Sequence, residues 1–239
     1  MFFSSILIAP IIVGAILNLD RQVFGNFMIG RPLMAGFVIG FMTGELNYGV
    51  WMGISVELLW LAVLPLGGQL TPNAGMAVSA SLIAWIGSSF APAVGAYDET
   101  HAGLVISFIT VPFWAWSFTF LDKICRRFAA SQLAAARQDL ADGLEPNFFG
   151  RNISGLWLTF ACSLAGILVA VVVNTAILHL TASWAPVFVT LDTLLLNLTF
   201  LFTFVQFLGL LGMAVFLEAK IFPFYLGGLL ASLLAISAV

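Results

Sequence analysis

Glu45, Gly49, Gly53 and Glu57 recur at every fourth position. On a continuous helix that spacing puts both carboxylates on one face, about 18 Å apart at 1.5 Å rise per residue. Such a separation excludes joint action on one bond, because paired-carboxylate hydrolases hold their acids within about 10 Å. Each acid must therefore be read alone. Glu57 lies within the apolar run 50–66, where an ionised carboxylate costs about 2.5–3.5 kcal/mol on insertion scales, so it needs a partner. Two roles are open to it: a hydrogen bond that ties helices together, or a polar group lining a substrate path. Glu45 belongs to the polar cluster Thr43-Gly44-Glu45-Leu46-Asn47, which can reach an interface, and there the tie is the leading role.

Downstream, residues 65–75 read Pro-Leu-Gly-Gly-Gln-Leu-Thr-Pro-Asn-Ala-Gly, with two prolines and three glycines in eleven residues. A regular helix is disfavoured by that composition. Flanked by apolar helix, irregular backbone survives at membrane depth only where protein buries it or a water-filled cavity solvates it, and transporters build binding sites from such unwound segments. An ordinary interfacial loop is the alternative. The candidate polar site joins Glu57 and Asn73, with the free backbone groups of Gly67 and Gly68, and with Gln69 and Glu45 as weaker members. A carboxylate and an amide supply the acceptors and donors that a sugar's hydroxyls require. On one straight helix Glu57 and Asn73 would stand about 24 Å apart, so a shared site requires the Gly-Gly and Pro breaks to fold the chain back.

The elements that must hold these residues are membrane helices. The 239 residues are 62% hydrophobic and 8% charged, against about 25% charged in ordinary soluble domains, too few to cover a globule. A span needs about 20 apolar residues, and the stretches 76–97, 102–121, 153–180, 193–217 and 221–239 meet or approach that length. Residues 32–64 are either one long helix or two short ones meeting at the 43–47 cluster. The run from Phe2 to Asn18 lacks a basic start and an Ala-x-Ala cleavage site, and reads as a retained helix. The expected fold is an all-α polytopic membrane protein of about six to eight transmembrane or re-entrant helices with an unwound Gly/Pro segment.

Three parts are expected: membrane helices over 1–121, including the motif region 36–81, an amphipathic linker over 122–152, and further membrane helices over 153–239. The linker holds Lys123, Arg126, Arg127, Arg137 and Arg151, five of the eight basic residues, and the positive-inside rule makes it cytoplasmic. Its apolar positions Ile124, Phe128, Leu133, Ala136, Leu140 and Leu144 suit a helix, with a stop offered by Gly143 and Pro146. It is either a solvated connector or a docking arm for a soluble partner. No basic stripe interleaved with aromatics points to nucleic acid. Cys125 and Cys162 show no metal-ligand or disulfide spacing, and no cofactor is expected. Neither His-Glu-x-x-His nor Gly-x-Ser-x-Gly occurs, which argues against an intramembrane enzyme.

Residues 36–81, reading GFVIGFMTGELNYGVWMGISVELLWLAVLPLGGQLTPNAGMAVSAS, resemble the signature region of IIC proteins in the mannose, fructose and sorbose class of sugar phosphotransferase systems. Gly44-Glu45 stands where the family has Gly-Asp, Glu57 at its acidic or amide position, Gly67-Gly68 at its paired glycines, and Pro72-Asn73 at its last motif. The Gly-Gly-x-x-x-Pro-Asn form is similar to the N-acetylgalactosamine branch. The resemblance implies a permease of the bacterial plasma (inner) membrane that binds a hexose or amino sugar outside and presents it inside. There a separate IIB protein, charged by IIA, would phosphorylate it, and this chain would carry no phosphoryl group. It further implies a second membrane subunit, IID, and an oligomeric assembly. His101 and His179 both fall at ends of spans on the side inferred to be outside, away from any cytoplasmic phosphocarrier. A multi-pass transporter or channel without phosphotransfer is the alternative, and a membrane scaffold is another.

Overall fold

The computed structural model describes residues 5–23, 27–60, 70–88 and 97–182. Among them there are six helices and no strand: α1 (Ser5–Gln22), α2 (Pro32–Thr43), α3 (Leu46–Trp60), α4 (Ala74–Ile86), α5 (Tyr97–Ala141) and α6 (Phe148–Ala182). The expected spans 193–217 and 221–239, and the part of 76–97 beyond Ser88 and before Tyr97, lie outside the described residues.

For residues 32–60, the arrangement found is two short helices. Pro32 opens α2, where its missing N–H is no loss, and Gly44, at φ 82°, ends it after 12 residues. That length covers about 18 Å, short of the roughly 30 Å hydrocarbon core, so α2 turns back into α3 instead of crossing alone. The glycine stripes form the seam between the two. A Cβ on Gly40 would come within 2.9 Å of the Glu45 carbonyl oxygen and 3.1 Å of the Gly49 Cα, and one on Gly53 within 2.8 Å of the Pro32 carbonyl oxygen. Gly36 and Gly49 meet backbone to backbone in the same seam. Gly44, the third member of the first stripe, serves as the left-handed turn instead, with open space beside it.

Helix α4 is the axis of the bundle. Every residue from Ala74 to Trp85 is buried, and the helix contacts all five others. Its run of Ala, Ser and Gly lets neighbours approach closely, the usual solution for helix contacts in lipid. Polar side chains link α4 to its neighbours at two levels. Near its start Asn73 reaches Asp122 of α5 and, through Asn18 of α1, Ser163 of α6. Two turns on, Ser81 meets Thr110 at 3.3 Å and Asn174 at 3.2 Å, and Asn174 also accepts from the Trp114 indole at 2.8 Å. The pairing falls along α5 as it rises along α6, so α4, α5 and α6 alternate in direction, as expected for consecutive spans.

Residues 121 and 122, where the membrane part was expected to meet the linker, lie within one helix. α5 runs 45 residues, about 68 Å, and carries a membrane-length segment straight into the basic linker. It stops at Ala141, where Gly143 adopts φ 74° ahead of Pro146, and α6 starts at Phe148, five residues before the expected 153. Arg151 ties the two across the turn, donating to Asp139 at 2.7 Å. Among the described residues, the helix that meets the full length and hydropathy for crossing a membrane is Phe148–Thr181. Little of its apolar window is covered within the bundle, and Val169, Val172 and Leu180 are exposed. On α5 the exposed Ile109, Phe113, Trp116 and Phe120 form a comparable stripe. Surfaces of this kind suit lipid or another subunit.

Candidate functional site

The end of α1, the stretch before α4 and the middle of α5 converge on one buried polar knot. Asp122, inside α5 and 2% exposed, accepts from the Asn73 amide at 3.1 Å, from the Gln22 amide, and from the Arg21 guanidinium at 3.4 Å. Asn73 is 1% exposed and fully engaged. Its oxygen caps α4 by accepting from the Met76 N–H at 3.3 Å, while its nitrogen also donates to Asn18 at 2.8 Å. Asn18 in turn donates to the Ser163 hydroxyl at 2.7 Å. A carboxylate buried this deeply persists because donors surround it.

Arg21 supports the irregular backbone expected here. Residues 70–73 are not helical, which leaves carbonyls without helical partners. The Arg21 fork donates to the Thr71 carbonyl, to the Thr71 hydroxyl at 3.0 Å and to the Pro72 carbonyl at 3.1 Å. The Asn73 N–H donates to the Ala115 carbonyl of α5 at 3.0 Å. Protein groups thus satisfy an unwound stretch among apolar helices, one of the two ways such backbone is tolerated.

Glu57 sits in a second ion pair. Arg31, at the cap of α2, donates to it at 2.7 Å, and the Leu33 N–H lies 3.4 Å from its other oxygen. The partner that its apolar setting demanded is therefore a half-exposed arginine. Among the described residues Glu57 and Asn73 share no hydrogen-bond partner, yet both lie at the same end of the bundle. Gly30 packs its carbonyl against Gly75, two residues past Asn73, and the adjacent Arg31 holds Glu57. Buried Asp20 fixes that connection by accepting from the N–H groups of Phe27 at 2.8 Å, Ile29 at 2.9 Å and Gly30 at 3.3 Å. Glu45 is half-buried just before α3, its carbonyl accepting from the Gly49 N–H at 3.0 Å. Gln69, Gly67 and Gly68 lie outside the described residues.

On the linker part of α5, burial pushes the Cys125 thiol up to about 11, with Cys162 acting in the same direction, so Cys125 stays protonated near neutral pH. Among the described residues no cluster of His, Cys, Asp and Glu is arranged to hold a metal. His101, on the first turn of α5, and His179, near the end of α6, both lie at the end of that hairpin opposite the linker.

A model of the family described as phosphotransferase system (PTS) sorbose-specific IIC component matches residues 2–238. The chain belongs to this family. IIC components are polytopic membrane proteins, and the short, buried and alternating helices above are those of a membrane bundle. An Escherichia coli (strain K12) protein described as "Putative N-acetylgalactosamine permease IIC component 2" is 27% identical over 90 residues. That match spans 38% of this chain and 63% of the relative. Two solved structures share the fold. One, described as a membrane protein, has a TM-score of 0.67 at 19% identity, covering 99% of this chain and 92% of that one. The other, a chain from a cryo-EM structure of the mannose transporter ManYZ with microcin E492, has a TM-score of 0.56 at 21% identity, covering 97% and 88%.

Sequence reasoning passed over Asn18, Arg21 and Asp122 as site residues. Each carried a usable signal: polar groups at the ends of apolar helices, on segments whose alternating directions bring those ends together. Asp122, the first residue of the expected linker over 122–152, is the buried acceptor at the centre of the knot.

Proposed function

We propose that this IIC chain is the sugar-translocating permease subunit of a bacterial PTS, working in the plasma (inner) membrane. It binds a hexose or amino sugar on one side and presents it on the other, where a separate IIB protein, charged by IIA, phosphorylates it. A IID membrane subunit completes an oligomeric assembly, and the chemistry of phosphoryl transfer stays on the soluble partners. Supporting this reading above all is the unwound 70–73 stretch, braced by Arg21 and Asp122 among apolar helices, since transporters form substrate sites at such interruptions.

Within that reading Glu57 and Arg31 are the polar pair offered to sugar, because Arg31 is half-exposed and its bond to Glu57 can be exchanged for sugar hydroxyls. Asn73 sets the start of α4, and Gly67, Gly68 and Gln69, a few residues before it in the sequence, are further candidates through their backbone and amide groups. Glu45 is a weaker one. The test is calorimetry of the purified complex with sorbose, mannose and N-acetylgalactosamine. At least one sugar should bind, and Glu57→Gln should weaken it by about 1.5–3 kcal/mol in a variant shown to assemble. Binding unaffected by Glu57→Gln would move the site elsewhere; no binding of any sugar would defeat the permease reading.

A further inference from the structure

A cavity of about 520 Å³ opens at the linker end of the bundle, between the end of α1, the linker part of α5 and the first turns of α6. Its size lies within the usual range for small-molecule sites, roughly 300–1,000 Å³. Three guanidinium groups line it, from Arg21, Arg126 and Arg151, together with the amides of Gln22, Gln132 and Asn152. Their commitments differ. Arg21 spends its fork on Asp122, Thr71 and Pro72, and Gln22 spends its amide on Asp122. Arg151 is neutralised by Asp139 and also donates to the Gln132 side-chain oxygen at 3.4 Å, which leaves the Gln132 nitrogen free to donate. Arg126 is exposed and makes no hydrogen bond or ion pair among the described residues.

The donors left available are the whole Arg126 fork and the amide nitrogens of Gln132 and Asn152, while the side-chain oxygens of Gln22 and Asn152 can accept from hydroxyls of a bound molecule. The first turn of α6 adds the positive end of a helix. With the carboxylates of Asp122 and Asp139 already matched to Arg21 and Arg151, the cavity keeps one uncompensated positive charge. Leu133, Phe148 and Leu156 add apolar lining. A planar fork beside neutral donors suits a phosphate, and the apolar lining suits a carbon body attached to it. We propose that this cavity binds the phosphoryl group of an organic phosphate of hexose-phosphate size, with Arg126 as its principal ligand. The same chemistry could be met by a soluble sugar phosphate or by an anionic lipid headgroup, and the two are separable.

The full-length protein in phosphatidylcholine nanodiscs is titrated with glucose 6-phosphate, inorganic phosphate and glucose by calorimetry. Saturable binding of glucose 6-phosphate, weaker binding of phosphate and no comparable binding of glucose are expected. Arg126→Gln should lower affinity about tenfold or more, the scale of a charged hydrogen bond. Arg137→Gln removes the same charge from the same helix outside the cavity and should change it by less than about twofold, since exposed remote charges are screened. Thermal unfolding checks that both variants fold. In a second arm phosphatidylglycerol replaces part of the neutral lipid. If only this lipid binds, in an Arg126-dependent manner, the phosphate is that of a headgroup and the site stands. If neither probe binds in an Arg126-dependent manner, or if both variants lose affinity equally, the proposal is overturned. Transport of free sugar is not the readout, so this result and the permease reading succeed or fail separately.

Discussion

Asn73 does three jobs with one amide: it caps α4, contacts Asn18 of α1 and donates to Asp122 of α5. A residue so committed holds helices in place, and the charge it faces makes the arrangement sensitive. Asp122→Asn keeps the shape but leaves the partly buried Arg21 without its counter-charge. Breaking a buried pair on one side costs about 3–5 kcal/mol, and loss of that order is expected in the thermal unfolding of the purified protein. Ser131→Ala, at an exposed linker hydroxyl bonded only within its own helix, should leave unfolding unchanged. If Asp122→Asn melts like the native chain, the knot does not hold the bundle together. Little of this was legible beforehand, because Asn73 and Asp122 lie 49 positions apart and no local periodicity connects them. Glu57 was more legible: an acid in an apolar run must find a partner, although nothing in the sequence singled out Arg31, 26 positions away.

At the level of elements, the glycine spacing was the clearest signal, since positions four apart lie along one stripe of a helix. The seam they make is tight. A Cβ on Gly49 would fall 2.8 Å from the Gly40 Cα and press on the Gly36 carbonyl, and backbone cannot yield as a flexible side chain can. Gly49→Ala is expected to destabilise the protein by about 1–3 kcal/mol, the usual cost of overpacking, whereas Gly155→Ala, where a Cβ meets nothing, should not. Comparing the two melting temperatures checks this. The turn at Gly44 was less legible, because its glycine also fits the stripe. The continuity of α5 was obscured by the abrupt change from apolar to basic residues, which marks a change of surroundings and not the end of a helix. The positive-inside rule makes a cytoplasmic location of its basic portion the expectation to test. Arg137→Cys should therefore resist an impermeant maleimide in sealed cells and react once they are opened. Buried Cys125, held as the thiol, contributes little background. Rapid labelling in sealed cells would reverse the orientation.

For the whole molecule, composition alone decided the class, because so few charges cannot clothe a soluble globule. Helix order and alternation followed from span lengths, and the motif region carried the family. The places where reading fell short have a common cause: contacts between chain segments far apart in sequence, such as Asn18 with Ser163 and Arg31 with Glu57, are set by packing and not by pattern. Coupling of sugar passage to phosphoryl transfer on other subunits is what the proposed permease function requires. That coupling is read in membrane vesicles carrying this chain and a IID subunit, supplied with IIA, IIB and radiolabelled sorbose, mannose or N-acetylgalactosamine. Label from at least one sugar should appear as sugar phosphate only when phosphoenolpyruvate is present, and vesicles lacking this chain should form none. Accumulation of unmodified sugar with no need for phosphoenolpyruvate would contradict the coupling.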